Sequence, residues 1–172
     1  MSYLFELAAE LGDKPAGVAG IATAFDGATW ILSDGTTIEC QFKPSPSNPW
    51  TGPDGNLWCR LTPNGVGMTG GVRSVTSDEM LVEVAMQMYG VLRGCSGFRF
   101  ALVGWEVAES VEVSELLNSK PPGAEFPAGL VVSLDLWTQM GCPAAFVPFG
   151  DHTVWKPLED CDYRALVKLF RE

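Results

Sequence analysis

Thr29-Trp30-Ile31-Leu32-Ser33-Asp34-Gly35-Thr36-Thr37-Ile38-Glu39-Cys40-Gln41-Phe42 is the stretch on which the fold turns. Asp34-Gly35 supplies the positive φ angles that a two-residue hairpin turn requires. In the second arm Ile38, Cys40 and Phe42 alternate with Thr37, Glu39 and Gln41, so one face is buried and the other wet. A hairpin this clear points to an antiparallel sheet built from local connections.

Moving outward, Pro44, Pro46 and Pro49 make residues 43–55 a loop, because proline cannot join a central ladder. That loop carries Trp50. Asn56–Thr62 and Val66–Val75 read as a second hairpin around Pro63-Asn64-Gly65. Toward the N-terminus, Leu4, Leu7, Ala8 and Leu11 fall at helical spacing, and Gly12 and Pro15 read as stops, so residues 2–11 are expected to form a short helix. Thr76-Ser77-Asp78-Glu79 has the form of a capping box, with Thr76 as N-cap and Glu79 at the third helical position. A helix then runs along Met80, Leu81, Val84, Ala85, Met88, Val91 and Leu92 to Gly94.

Phe98–Val107 reads as a strand. Ser114–Asn118 reads as a helical turn before the Pro121-Pro122-Gly123 break. Leu130–Val132 is a short strand, after which Ser133 can cap a helix over 134–140. The alternation of Leu130, Val132, Leu134 and Leu136 offers one long strand as the competing reading; the cap is preferred. Ala144–Phe149 and Thr153–Trp155 are further strands, and 160–171 an amphipathic helix. The fold class is α+β: a single domain over residues 1–172, with a mostly antiparallel, hairpin-linked sheet and two to four packing helices.

The chain has 172 residues and a net charge of −10. A domain of this length buries roughly 70% of its unfolded surface, so it needs neither metal nor disulfide to fold. Residues 105–162 hold ten acids against Lys120 and Lys156 alone, whereas residues 1–104 hold ten acids and six bases. An acidic chain repels phosphate backbones and anionic lipid, so neither nucleic acid nor membrane is an expected partner. Five cysteines with no C-x-x-C pair suit neither zinc nor a disulfide framework. With no basic leader and no apolar run of 18 residues, a cytoplasmic setting with free thiols is expected.

Gly65-Val66-Gly67-Met68-Thr69-Gly70 spells G-x-G-x-x-G, but the glycines follow a Pro-Asn-Gly turn and stand well ahead of the helix. A glycine-rich turn is the expected reading, and no cofactor is assigned. His152 is the only histidine. With Cys95 or Cys142 it could form a nucleophilic pair, and a pair of carboxylates could share acid and base roles. A surface-loop histidine and packing cysteines are the simpler account. No G-x-S-x-G is present.

Glu106, Glu109, Glu112 and Glu115 recur every three residues, and Asp151, Glu159, Asp160 and Asp162 follow. Such density suits a charged surface better than a two-residue catalytic site. Trp30, Trp58 and Trp105 lie in expected strands and belong to the core. Trp50, on the proline-rich loop, and Trp155, beside charge, have the character of interface anchors, although each could equally cover the core edge. Small, acidic and without catalytic motifs, the chain resembles bacterial immunity proteins in type rather than in sequence. These acids and Trp155 are therefore expected to meet another protein with a basic surface, such as a cognate toxin or enzyme.

Overall fold

The computed structural model describes residues 3–40, 49–52, 54–68, 77–109, 111–118 and 125–158. Its elements are β1 (Tyr3–Gly12), α1 (Ala16–Phe25), β2 (Thr29–Ile31), β3 (Thr37–Glu39), β4 (Trp50–Thr51), β5 (Leu57–Leu61), β6 (Gly67–Met68), α2 (Asp78–Leu92) and β7 (Phe100–Trp105). A 3-10 turn at Val107–Glu109 follows, then α3 (Val113–Asn118), β8 (Val131–Ser133), α4 (Leu134–Gln139), β9 (Val147–Gly150) and β10 (Thr153–Trp155). The main sheet runs β4-β5-β1-β7-β8-β10-β9, every adjacent pair antiparallel, and β6 pairs with the start of β1. The α+β class with a mostly antiparallel sheet is what the structure shows.

The opening segment corrects the expected helix. Residues 3–12 form an interior strand, paired with β5 on one edge and β7 on the other. Leu4, Leu7, Ala8 and Leu11 do fall at helical spacing, but Phe5, Leu7, Ala9 and Leu11 also fall at strand spacing. The strand wins because its two edges find partners and both its faces are covered. Phe5, Leu7, Ala9 and Leu11 pack under α1 and α2 with Ile21, Phe25, Val84 and Met88. The opposite face of the sheet meets Val113, Leu116, Leu136 and Met140 from α3 and α4. β7, covered on both sides, is buried along its whole length.

Four further expectations change. Pro15 does not stop a helix but stands at the N-cap of α1, where its missing N–H costs nothing. Ser77, not Thr76, caps α2: its hydroxyl accepts from Met80 N at 3.2 Å, which moves Glu79 one position earlier. β5 and β6 form no hairpin with each other. After Pro63–Gly65 the chain continues along β1 instead, Gly67 and Met68 pairing with Leu4 and Tyr3 beyond the Leu7–Leu61 pair. Trp50 and Thr51, placed above in a loop, pair with Trp58 and Leu57.

The β2–β3 hairpin forms, but its turn is not the expected two-residue one. The ladder ends at Ile31 and Thr37, and of Asp34 and Gly35 only Gly35, at φ 86, has a positive φ. Gln41 and Phe42 of the expected second arm lie outside the described residues. The hairpin is tied to α2 through Glu83, whose carboxylate accepts from Ser33 N at 2.7 Å and from the Ser33 hydroxyl. Ser133 caps α4 as expected, accepting from Leu136 N at 3.2 Å. Trp30, Trp58 and Trp105 are all buried. Residues 69–75 of the second expected hairpin and the 160–171 helix lie outside the described residues. Among the described residues no helix is long and apolar enough to cross a membrane.

Candidate functional site

At one end of the sheet, four chain segments leave a cleft of about 460 Å³. Lys14 stands just past β1, Arg99 just before β7, Asp135 and Gln139 on α4 just past β8, and His152 just before β10. Leu11, Phe98 and Leu136 supply apolar lining. The 96–98 loop is held close to α1 by a contact only glycine permits: a side chain at Gly17 would collide with the Gly97 carbonyl.

Arg99 is fixed from behind. Its Nε donates to Glu10 Oε2 at 2.7 Å and its Nη2 to Glu10 Oε1 at 2.5 Å. Glu10 is wholly buried and also accepts from Gly12 N at 3.1 Å. The hydrogen bonds to Glu10 raise the Arg99 pKa above its ordinary value, so the guanidinium is permanently charged. A fork used on one side leaves further donors for the other. A second pair repeats the pattern on the same face of β1: the buried Glu6 meets Arg60 Nε at 2.7 Å and accepts from Ala108 N at 3.2 Å. Arg60 also lies 5.0 Å over the Trp50 ring, which stacks on Trp58 at 5.7 Å.

Neither Glu10 nor Arg99 nor the Glu6–Arg60 pair was assigned a role by the sequence reading. The signal was present in the alternation of Phe5, Leu7, Ala9 and Leu11, which puts Glu6 and Glu10 together on the second strand face.

The predicted acidic residues do not gather into one surface. Glu106, Glu112 and Glu115 are exposed beyond the C-terminal end of β7. Glu106, at φ 50, accepts from Leu4 N at 2.9 Å. Glu112 accepts from the Ser114 hydroxyl at 3.1 Å, and Glu115 reaches back to Glu112 N at 3.3 Å across the start of α3. Glu109 lies between them in the 3-10 turn. Asp151, also exposed, sits in the β9–β10 turn at the opposite end, because Thr153 pairs with Ser133 and Ser133 N donates to Arg99 O. The six residues of β7 hold the two ends about 20 Å apart. Trp155 belongs to neither group. Its half-buried ring packs on Tyr89 at 5.5 Å and on Phe149 at 5.1 Å. Glu159, Asp160 and Asp162 lie outside the described residues.

The nucleophile candidates stay apart from the cleft. Cys95 is buried, its thiol donating to Val91 O at 3.6 Å, and burial pushes its pKa up, away from the reactive thiolate. Cys142 is exposed past α4 at φ 56. Neither lines the cleft that holds His152. No group of His, Cys, Asp or Glu among the described residues could hold a metal ion. Gly65 makes a turn at φ 75 and Gly67 enters β6, whereas Thr69 and Gly70, the end of the G-x-G-x-x-G run, lie outside the described residues. Comparison with family models, with curated proteins and with solved structures found no match.

Proposed function

We propose that this chain is a cytoplasmic protein-binding module of the inhibitor or immunity type, which meets a basic partner through the carboxylates of Glu106, Glu109, Glu112 and Glu115. The observation that carries this reading is how the acids are sorted. Glu6 and Glu10 are buried against arginines, whereas Glu106, Glu112 and Glu115 are exposed in succession at one end of the sheet. Local hydrogen bonds hold their side chains, so less rotamer entropy is lost when a partner arrives. Carboxylates at a rim act chiefly by steering, over a Debye length of roughly 8 Å at physiological salt.

The test is association kinetics with a basic enzyme or toxin whose activity the protein suppresses. Replacing Glu106, Glu109 and Glu112 by Gln should slow association about tenfold or more with little change in dissociation. Raising salt should slow the unmodified protein in the same way. Unchanged association rates with no salt dependence would sink the proposal.

A further inference from the structure

We propose that the cleft at the Arg99 end of the sheet binds a small zwitterion of dipeptide length, with its carboxylate on Arg99 and Lys14 and its ammonium on Asp135. This is independent of the acidic segment, which lies at the other end of the sheet. Strand order sets the arrangement. Passing from β1 through β7 and β8 to β10, the cleft presents Lys14, Arg99, Asp135 and His152 in turn. Two bases thus face an acid across the opening.

The ends of β7 and β8 stand one strand spacing apart and those of β1 and β8 two, about 5 and about 10 Å, with Lys14, Arg99 and Asp135 on the segments beside those ends. The ends of an extended dipeptide lie about 7 Å apart, between those two spans. The charges are available to a ligand. Among the described residues, Lys14 and Asp135 make no side-chain hydrogen bond or ion pair; Arg99 is hydrogen-bonded to the buried Glu10 behind it, and the carboxylates of Asp13 and Asp54 also act on its charge.

The cleft volume of about 460 Å³ falls within the roughly 300–1,000 Å³ usual for small-molecule sites. Leu11, Phe98 and Leu136 offer apolar surface to a side chain of the ligand. Long-range charge also selects. A protein of net charge −10 repels a simple anion but exerts no net force on a zwitterion. A simple cation, for its part, would have to approach Lys14 and Arg99.

His152 lines the cleft and is the only histidine, so its imidazole proton resonances are a single, self-assigned reporter. Glycylglycine and alanyl-phenylalanine with free termini should shift those resonances saturably at millimolar concentration. Blocking either end, by N-acetylation or C-amidation, should weaken binding about tenfold, the loss expected for one charge-assisted hydrogen bond. Lys14→Ala and Asp135→Asn alter exposed side chains and should each weaken it similarly, with unchanged unfolding midpoints. Resonances unmoved by both dipeptides would overturn the proposal. So would blocked dipeptides that bind as well as free ones, or inorganic phosphate that binds as well as either, since the cleft would then not be reading two opposite charges.

Discussion

On one face of β1, Phe5, Leu7, Ala9 and Leu11 lie wholly buried under α1 and α2. On the other, Glu6 and Glu10 flank Ala8, equally buried, and each meets an arginine from a neighbouring segment. The apolar face supplies non-directional burial, which a shift of register would partly preserve. If β1 slid by two residues against β5 and β7, the same alternation would still point apolar side chains toward α1 and α2. The charged face has no such tolerance. A slide in either direction would part Glu10 from Arg99 and leave at least one buried charge without its arginine, at a cost of several kcal/mol. One face stabilises the sheet, and the other specifies which sheet it is.

Each face can be attacked separately. Phe5→Ala removes a wholly buried ring that meets Trp105 edge-on at 5.4 Å, and should cost about 3–5 kcal/mol. Urea unfolding measures this; a loss below 1 kcal/mol would mean the apolar face carries little of the stability.

Arg60→Ala strands Glu6 and also removes the cation over Trp50. Because 36% of the Arg60 side chain is exposed, solvent screens part of the loss, and the cost should be about 3 kcal/mol. Replacing both partners, Glu6→Leu with Arg60→Met, should recover most of that loss. A deficit of about 1 kcal/mol should remain, because Ala108 N keeps no acceptor. If the double variant is no more stable than Arg60→Ala alone, the penalty does not come from an unpaired buried charge.

A third test probes how dry the apolar side is. Burial pushes the thiols of Cys40 and Cys59, both packed on that side, from an ordinary 9.0 up to about 12. In the unfolded chain they ionise near 9, whereas the folded chain keeps their protons. Their contribution is therefore whole below pH 9 and is lost as pH rises from 9 toward 12, by at most about 1.4 kcal/mol per pH unit for each thiol. Unfolding midpoints measured across this range should fall more steeply for the native protein than for a Cys40→Ala, Cys59→Ala variant. Equal slopes would show that both thiols see solvent.

Local chemistry alone determined several parts of this protein. The stripe from Met80 to Leu92, the Ser133 cap, the Asp34-Gly35 hairpin and three core tryptophans are all where near neighbours along the chain put them. Acidic net charge and the exposure of Glu106, Glu112 and Glu115 were equally legible, since a solvated carboxylate needs no partner to be predicted outside. Only the tertiary structure decided β1. Its apolar residues satisfy both the helical and the strand period, and the choice fell to β5 and β7, whose edges lie some fifty and ninety residues further along the chain. The arginines that make Glu6 and Glu10 tolerable inside come from those same distant segments. The cleft, too, exists only where the ends of β1, β7, β8 and β10 come side by side, because a sequence shows periodicity within a segment but not which segments will share an edge.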